Sequence, residues 1–192
     1  MRLPKEIILA TTNKGKLAEF QAAFLDSPFN LKCIDGLFNC PEDKNTFLGN
    51  ATQKAQMASE ITKAYCLADD SGLCVEALNH EPGIFSARYF GKGEGMQKIL
   101  DRLNGLDNRK AYFVCALVLT DETGKVLWQT EQKWHGQIAY KAEGDNGFGY
   151  DPIFIPEGYN VSVAQLEANL KEKISHRGLA IREFKNWLIS YI

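Results

Sequence analysis

The spacing of apolar residues changes several times along the chain, and each change marks an element. Ile7–Ala10 is a short apolar run closed by Thr11, Thr12 and Asn13, the pattern of a buried strand. In the KGKLAEFQAAFLD stretch that follows, Leu17, Phe20, Ala23 and Phe24 recur at helical spacing, with Thr12 or Asn13 as N-cap. Leu31–Ile34 predicts a second strand and Asp35-Gly36 a turn. A long helix is expected from Thr46 to about Tyr65, with Phe47, Ala51, Ala55, Ala58 and Ile61 on its core face. It feeds a strand ending at Asp69, after which Ser71-Gly72 reads as a turn and Leu73–Leu78 as a further short strand. A glycine-rich loop (Gly91, Gly93, Gly95) precedes a helix around Met96–Leu103.

The period then shortens. Lys110–Asp121 is rich in aromatic and β-branched residues, Asp121–Gly124 predicts a hairpin turn, and Lys125–Ala139 alternates loosely. Two long strands joined this way form an antiparallel pair. The C-terminal stretch returns to helix, with Leu179, Phe184, Leu188 and Tyr191 as its core stripe. The order β-α-β-α-β, hairpin, α predicts an α/β protein with a mixed sheet.

Composition narrows the function classes. The 192 residues show no linker, repeat or low-complexity run, so one domain is expected, with room for a lobe. A formal charge of −2 lacks the basic face a general nucleic-acid binder needs. No apolar run is long enough to span a membrane and the N-terminus lacks a secretory apolar region, so no membrane role is expected. Five cysteines without C-x-x-C spacing read as reduced thiols in a cytoplasmic protein. G-x-S-x-G and H-E-x-x-H are absent, which removes nucleophile-elbow hydrolases and zincins.

Four segments carry candidate chemistry. Thr11, Thr12, Asn13, Lys14, Gly15 and Lys16 join a strand to a helix N-terminus, where free N–H groups and the helix dipole favour phosphate; an ordinary capped helix reads the same way. Asp69 and Asp70 end an apolar strand, a costly place for carboxylates unless a cation uses them, and alternation sends them to opposite faces. Either one serves a site while the other caps a turn or bonds backbone N–H groups, or both are turn residues. Gly144–Asp151 surrounds Phe148 and Tyr150 with three glycines, suiting either a flat base against an aromatic ring or a loop with structural aromatics. Lys171, Lys173, His176 and Arg177 form a basic cluster just before the last helix, either a recognition site for phosphate or a purine carbonyl or a solvated face.

The segments ATTNKGK, NATQKA, ADDSGL, PGIFSARYFG, GFGYDPIF and ISHRG occur in the order and spacing of one known family. End to end, the chain resembles the inosine/xanthosine triphosphate pyrophosphatases, the Ham1-like dITP/XTP pyrophosphatase family. The resemblance implies residues 1–192 as a single ITPase-like domain with two lobes: a mixed, elongated central sheet whose helices form the lobes around an active-site cleft. It implies a homodimer and Mg²⁺-dependent hydrolysis between the α- and β-phosphates of purine nucleoside triphosphates (ITP, dITP, XTP), which cleanses the nucleotide pool. Carried over by residue, it assigns Thr11–Lys16 and Lys54 to phosphate, and Asp70 to metal binding and general-base work, with Ser71 beside it. It assigns Phe148, Gly149, Tyr150 and Asp151 to the base, and Lys171, His176 and Arg177 to the purine's oxygen-bearing edge. The family often carries Glu-Glu-Thr-Gly before its second helix and Glu-Asn-Ala within it. Here Glu42-Asp43-Lys44-Asn45 makes Glu42 the candidate second metal ligand, and Gly49 replaces the helix glutamate. The alternatives are a Maf-like pyrimidine or modified-nucleotide pyrophosphatase and a nucleotide-binding module without turnover.

Overall fold

The computed structural model describes residues 4–33 and 39–190. Its strands are β1 (Glu6–Leu9), β2 (Asn30–Cys33), β3 (Cys66–Val75), β4 (Lys110–Thr120), β5 (Val126–Ile138) and β6 (Phe154–Pro156). Its helices are α1 (Lys14–Phe24), α2 (Phe47–Thr62), α3 (Ser86–Phe90), α4 (Glu94–Arg102), α5 (Ala168–Ile174) and α6 (His176–Ile189). The strands form one mixed sheet in the order β2-β1-β3-β4-β5-β6, with β1 parallel to both β2 and β3 and β5 antiparallel to β6. A mixed α/β fold is therefore correct.

Two compact units divide the contacts, residues 1–70, 115–132 and 177–192 in one and residues 71–114 and 133–176 in the other. The first has its own core, in which Ile7, Leu9, Leu67, Leu117 and Leu119 from the strands meet Phe20, Phe24, Phe184 and Leu188 from α1 and α6. The second packs Leu73, Ile99, Phe113, Trp134, Ile153 and Phe154. The Cys115 thiol lies inside the first core, where burial pushes it up to about 12 and keeps it an unreactive hydrophobe.

Local signals account for many boundaries. Asn13 caps α1, its side chain accepting from the Lys16 amide at 3.1 Å, and Thr46 caps α2 in the same way through the Gly49 amide. The hairpin turn after β4 is tied by Asp121 Oδ1, which accepts from the amides of Thr123 and Lys125.

Several expectations need correction. Ser71-Gly72 is not a turn: β3 runs through it to Val75, because pairing in the sheet outweighs a local turn signal, and only Glu76–Leu78 coil into a short 3-10 turn. Ile61 is 60% exposed; the core face of α2 continues through Ala58 and Ser59, whose hydroxyl meets Thr120 Oγ1 at 2.6 Å. On α6, Ala180 and Ile181 are buried while Leu179 is only partly so. The helices α3 and α5 and the strand β6 escaped the apolar pattern, being short. The expectations at Ile34, Asp35, Gly36 and Tyr191 lie outside the described residues. No helix among the described residues is long and apolar enough to cross a membrane.

Candidate active site

In the first unit the phosphate and metal candidates converge on the aspartate pair. Alternation along β3 separates the two carboxylates as expected, because each bonds a different set of groups. Asp70 is buried; its Oδ2 accepts from Asn50 Nδ2 at 3.1 Å and its Oδ1 from Lys54 Nζ at 3.3 Å. The Lys54 ammonium also donates to the Asp69 carbonyl at 3.1 Å and pairs with Glu42 Oε1. Asn50 is fixed from its other end, where its Oδ1 accepts the Lys44 amide at 2.9 Å. Gly49 allows that approach, since a Cβ there would stand 2.9 Å from both Lys44 Cβ and Thr46 Oγ1. The residue that replaces the family's helix glutamate thus lets the 42–46 segment lie close on α2. Glu42 itself holds a left-handed backbone (φ 48), uncommon for a non-glycine residue and more frequent at functional sites.

The electrostatics follow from burial and pairing. Burial pushes the Asp70 carboxyl above the ordinary range, with Lys54, Lys16 and Asn50 pulling the other way and losing. Burial alone would lower Lys54, but Asp70, Asp69 and Glu42 together raise it. Asp69 is the opposite case to its neighbour. Burial works against its charge, yet Lys16, Arg177 and Lys54 outweigh it and hold the carboxyl well below the usual range. Its Oδ2 receives Lys16 Nζ at 3.0 Å and Arg177 Nη2 at 3.3 Å, and Arg177 Nη1 pairs with Glu19.

The second unit holds the base candidates. Asp151 Oδ2 accepts the Phe148 amide at 2.8 Å and the Lys171 ammonium at 2.6 Å, and that ammonium stands 4.6 Å from the Phe148 ring centroid. The arrangement leaves a partly exposed ring beside a buried cation, a fit for a flat heterocycle. Two of the glycines are explained by packing. A Cβ on Gly147 (φ 78) would fall 2.1 Å from Asp151 Oδ2, and one on Gly144 would fall 2.5 Å from the Ala164 backbone. We expect Gly147→Ala to cost about 1–3 kcal/mol by chemical denaturation and to disturb the Asp151–Lys171 pair. Gly149 (φ 63) has open space around its missing Cβ. Tyr150 is buried against Phe90, its hydroxyl donating to the Ser86 carbonyl at 2.9 Å, so its ring belongs to the core.

The basic cluster is not a solvated face. Lys171, His176 and Arg177 are buried, and only Lys173 is exposed. The last two of those buried groups begin α6 rather than precede it. The His176 ring stacks on Phe113 at 4.7 Å with 7° between planes. Ser71 lies in β3 and is partly exposed. Arg88, on α3, stands 5.4 Å over the Phe85 ring.

Residue patterns alone passed over Asn50 and Glu19. A signal existed for each: Asn50 lies one helical turn before Lys54, and Glu19 lies three residues after Lys16, spacings that put each pair on one helix face.

A family model described as the Ham1 family matches residues 7–187. A dITP/XTP pyrophosphatase of Methylacidiphilum infernorum is 40% identical over 96% of this chain and 95% of its own length. A second, from Chromobacterium violaceum, is 41% identical over 92% of this chain and 93% of its own. A solved HAM1 protein from Coxiella burnetii superposes with a TM-score of 0.85 at 37% identity, covering 96% of this chain and 98% of that one. The Ham1 protein of Staphylococcus aureus gives 0.85 at 36% identity over 97% and 100%. Agreement of that extent in sequence and in structure leaves one assignment: the chain belongs to the Ham1 family.

Proposed function

We propose that this chain is a Mg²⁺-dependent nucleoside triphosphate pyrophosphohydrolase. It hydrolyses the α–β anhydride of dITP, ITP and XTP to the monophosphate and pyrophosphate, removing deaminated purine nucleotides from the pool. The observation that carries this reading is the pairing of Asp70 and Glu42 with Lys54, with Asn50 donating to the other Asp70 oxygen, one strand position from the carboxylate that holds Lys16. The relatives, dITP/XTP pyrophosphatases by name, support the substrate class.

The residues fit magnesium. Glu42 and Asp70 place oxygens on a single ammonium, so two hard donors face one point, while no group of three or more metal-ligating side chains exists among the described residues. Magnesium is commonly held by one or two carboxylates plus waters and substrate phosphates, which matches a two-carboxylate site. Glu42 and Asp70 would hold the ion, which would supply neutralisation of phosphate charge and activation of water. Asp70 orients the attacking water and takes its proton. Lys16, Lys54 and the α1 amides stabilise charge on the phosphate oxygens, since positioning and electrostatics carry most of such displacements. Phe148 stacks on the base, and Lys171, His176 and Arg177 read its oxygen-bearing edge, Lys171 being set by Asp151. The family resemblance supports a homodimer, and the reduced cysteines support a cytoplasmic setting.

Turnover of ITP, XTP, dTTP and UTP, with Mg²⁺ and with EDTA, tests the reading. Rapid metal-dependent release of pyrophosphate from the purine substrates is expected. Preference for dTTP or UTP would favour a Maf-like enzyme, and tight binding without turnover a binding module.

A further inference from the structure

The Asp69 carboxylate is a buried charged group that the proposed chemistry leaves without a part, and it lies at the centre of a four-residue network. We infer that Asp69 is a positioning residue for the phosphate chain, holding the Lys16 ammonium at the start of α1. This rests on the reading that Thr11–Lys16 binds phosphate.

Lys16 and Glu19 come from α1, Asp69 from β3 and Arg177 from the start of α6. One oxygen, Asp69 Oδ2, receives both cations, Lys16 at 3.0 Å and Arg177 at 3.3 Å, while Glu19 engages the other arm of the guanidinium. Two cations and two anions make the set neutral, which is what allows charges to remain in so buried a place. The Lys16 side chain keeps 14% of its surface accessible, whereas the Asp69 side chain keeps none. A lysine stem is flexible and its ammonium has no preferred geometry of its own, so a fixed buried acceptor selects one placement from many. Arg177 in turn helps fix Asp69 through the same oxygen. Asp69 Oδ1 is buried with no hydrogen-bond partner among the described residues, so the contacts that orient the carboxylate are those made through Oδ2. Asp69 thereby acts on phosphate through Lys16, without touching it.

A double-mutant cycle separates this from a scaffold role, because a residue that acts through another contributes nothing once that other is gone. Calorimetric titration with inorganic tripolyphosphate in magnesium-free buffer removes the base and the metal from the readout. The wild type, Asp69→Asn, Lys16→Met and the double variant are compared as full chains. Asp69→Asn is expected to weaken tripolyphosphate about 10-fold in the wild-type background and less than about 2-fold in the Lys16→Met background. Equal losses in both backgrounds, or no loss in either, overturn the inference. Asp69→Glu keeps the charge balance while displacing the carboxylate, and serves the same cycle if the asparagine variant fails to fold. If Lys16→Met leaves tripolyphosphate affinity unchanged, the phosphate reading of Thr11–Lys16 falls and the inference with it. If Lys16→Met weakens binding but the cycle is additive, the inference alone fails.

Discussion

Asp70→Asn is expected to lower kcat for ITP by about 10²–10⁴-fold, the usual contribution of a positioned general base. The Asp70 carboxylate is held on both oxygens, by Asn50 at 3.1 Å and Lys54 at 3.3 Å, so its direction is set before substrate arrives. An asparagine has nearly the same shape and would occupy the same place, but it cannot accept the water's proton. Stability should be largely kept. Burial raises the Asp70 carboxyl above its ordinary range despite Lys54, Lys16 and Asn50, which means the surroundings disfavour its charged form. A neutral amide removes that penalty but turns an N–H toward Asn50 or Lys54 and withdraws a charge that Lys54 pairs with. The two effects oppose, so the variant should fold and melt near the wild-type temperature. Loss of function with retained stability is the pattern of a site kept for chemistry. Near-normal turnover, or a variant that is inactive because it is unfolded, would contradict the assignment.

The second large effect concerns the base. The Lys171 ammonium can only donate, and it is fixed by Asp151 at 2.6 Å beside the Phe148 ring. A purine 6-oxygen accepts from such a group, whereas the 6-amino group of adenine presents donors to a donor and leaves its own hydrogens without an acceptor. Buried polar groups left without partners are what make rejection strong, and discrimination by this route reaches roughly 10⁴-fold. The kcat/KM for ITP should exceed that for ATP by about that factor, and Lys171→Met should remove most of the difference by slowing ITP rather than by quickening ATP. Steady-state rates for both nucleotides on both proteins decide it. Values for ITP and ATP within a few-fold of each other in the wild type would refute the donor argument.

Much of the architecture was legible in the residues because one physical signal dominated each element. Apolar spacing located β1, α1 and α2, and Asn13 and Thr46 marked two helix starts through cap chemistry. The sheet's continuation through Ser71-Gly72 was not legible, because a serine and a glycine carry a local turn preference that only strand partners override. The same limit explains the basic cluster. Charge at Lys171, His176 and Arg177 predicts exposure on its own, and the partners that permit burial, Asp151, Phe113, Asp69 and Glu19, are distant in sequence. Asp69 and Asp70 were separable in principle, since alternation alone assigns adjacent strand residues to opposite faces. What each carboxylate binds required the fold: an asparagine and a lysine on α2 for Asp70, a lysine on α1 and an arginine on α6 for Asp69.

Product identification tests the central claim most directly. Incubated with ITP and Mg²⁺ and followed by ³¹P NMR, the protein should yield inosine monophosphate and pyrophosphate in equal amounts, with neither inosine diphosphate nor orthophosphate accumulating. Release of orthophosphate together with inosine diphosphate would place the cleavage at the β–γ bond and contradict the account.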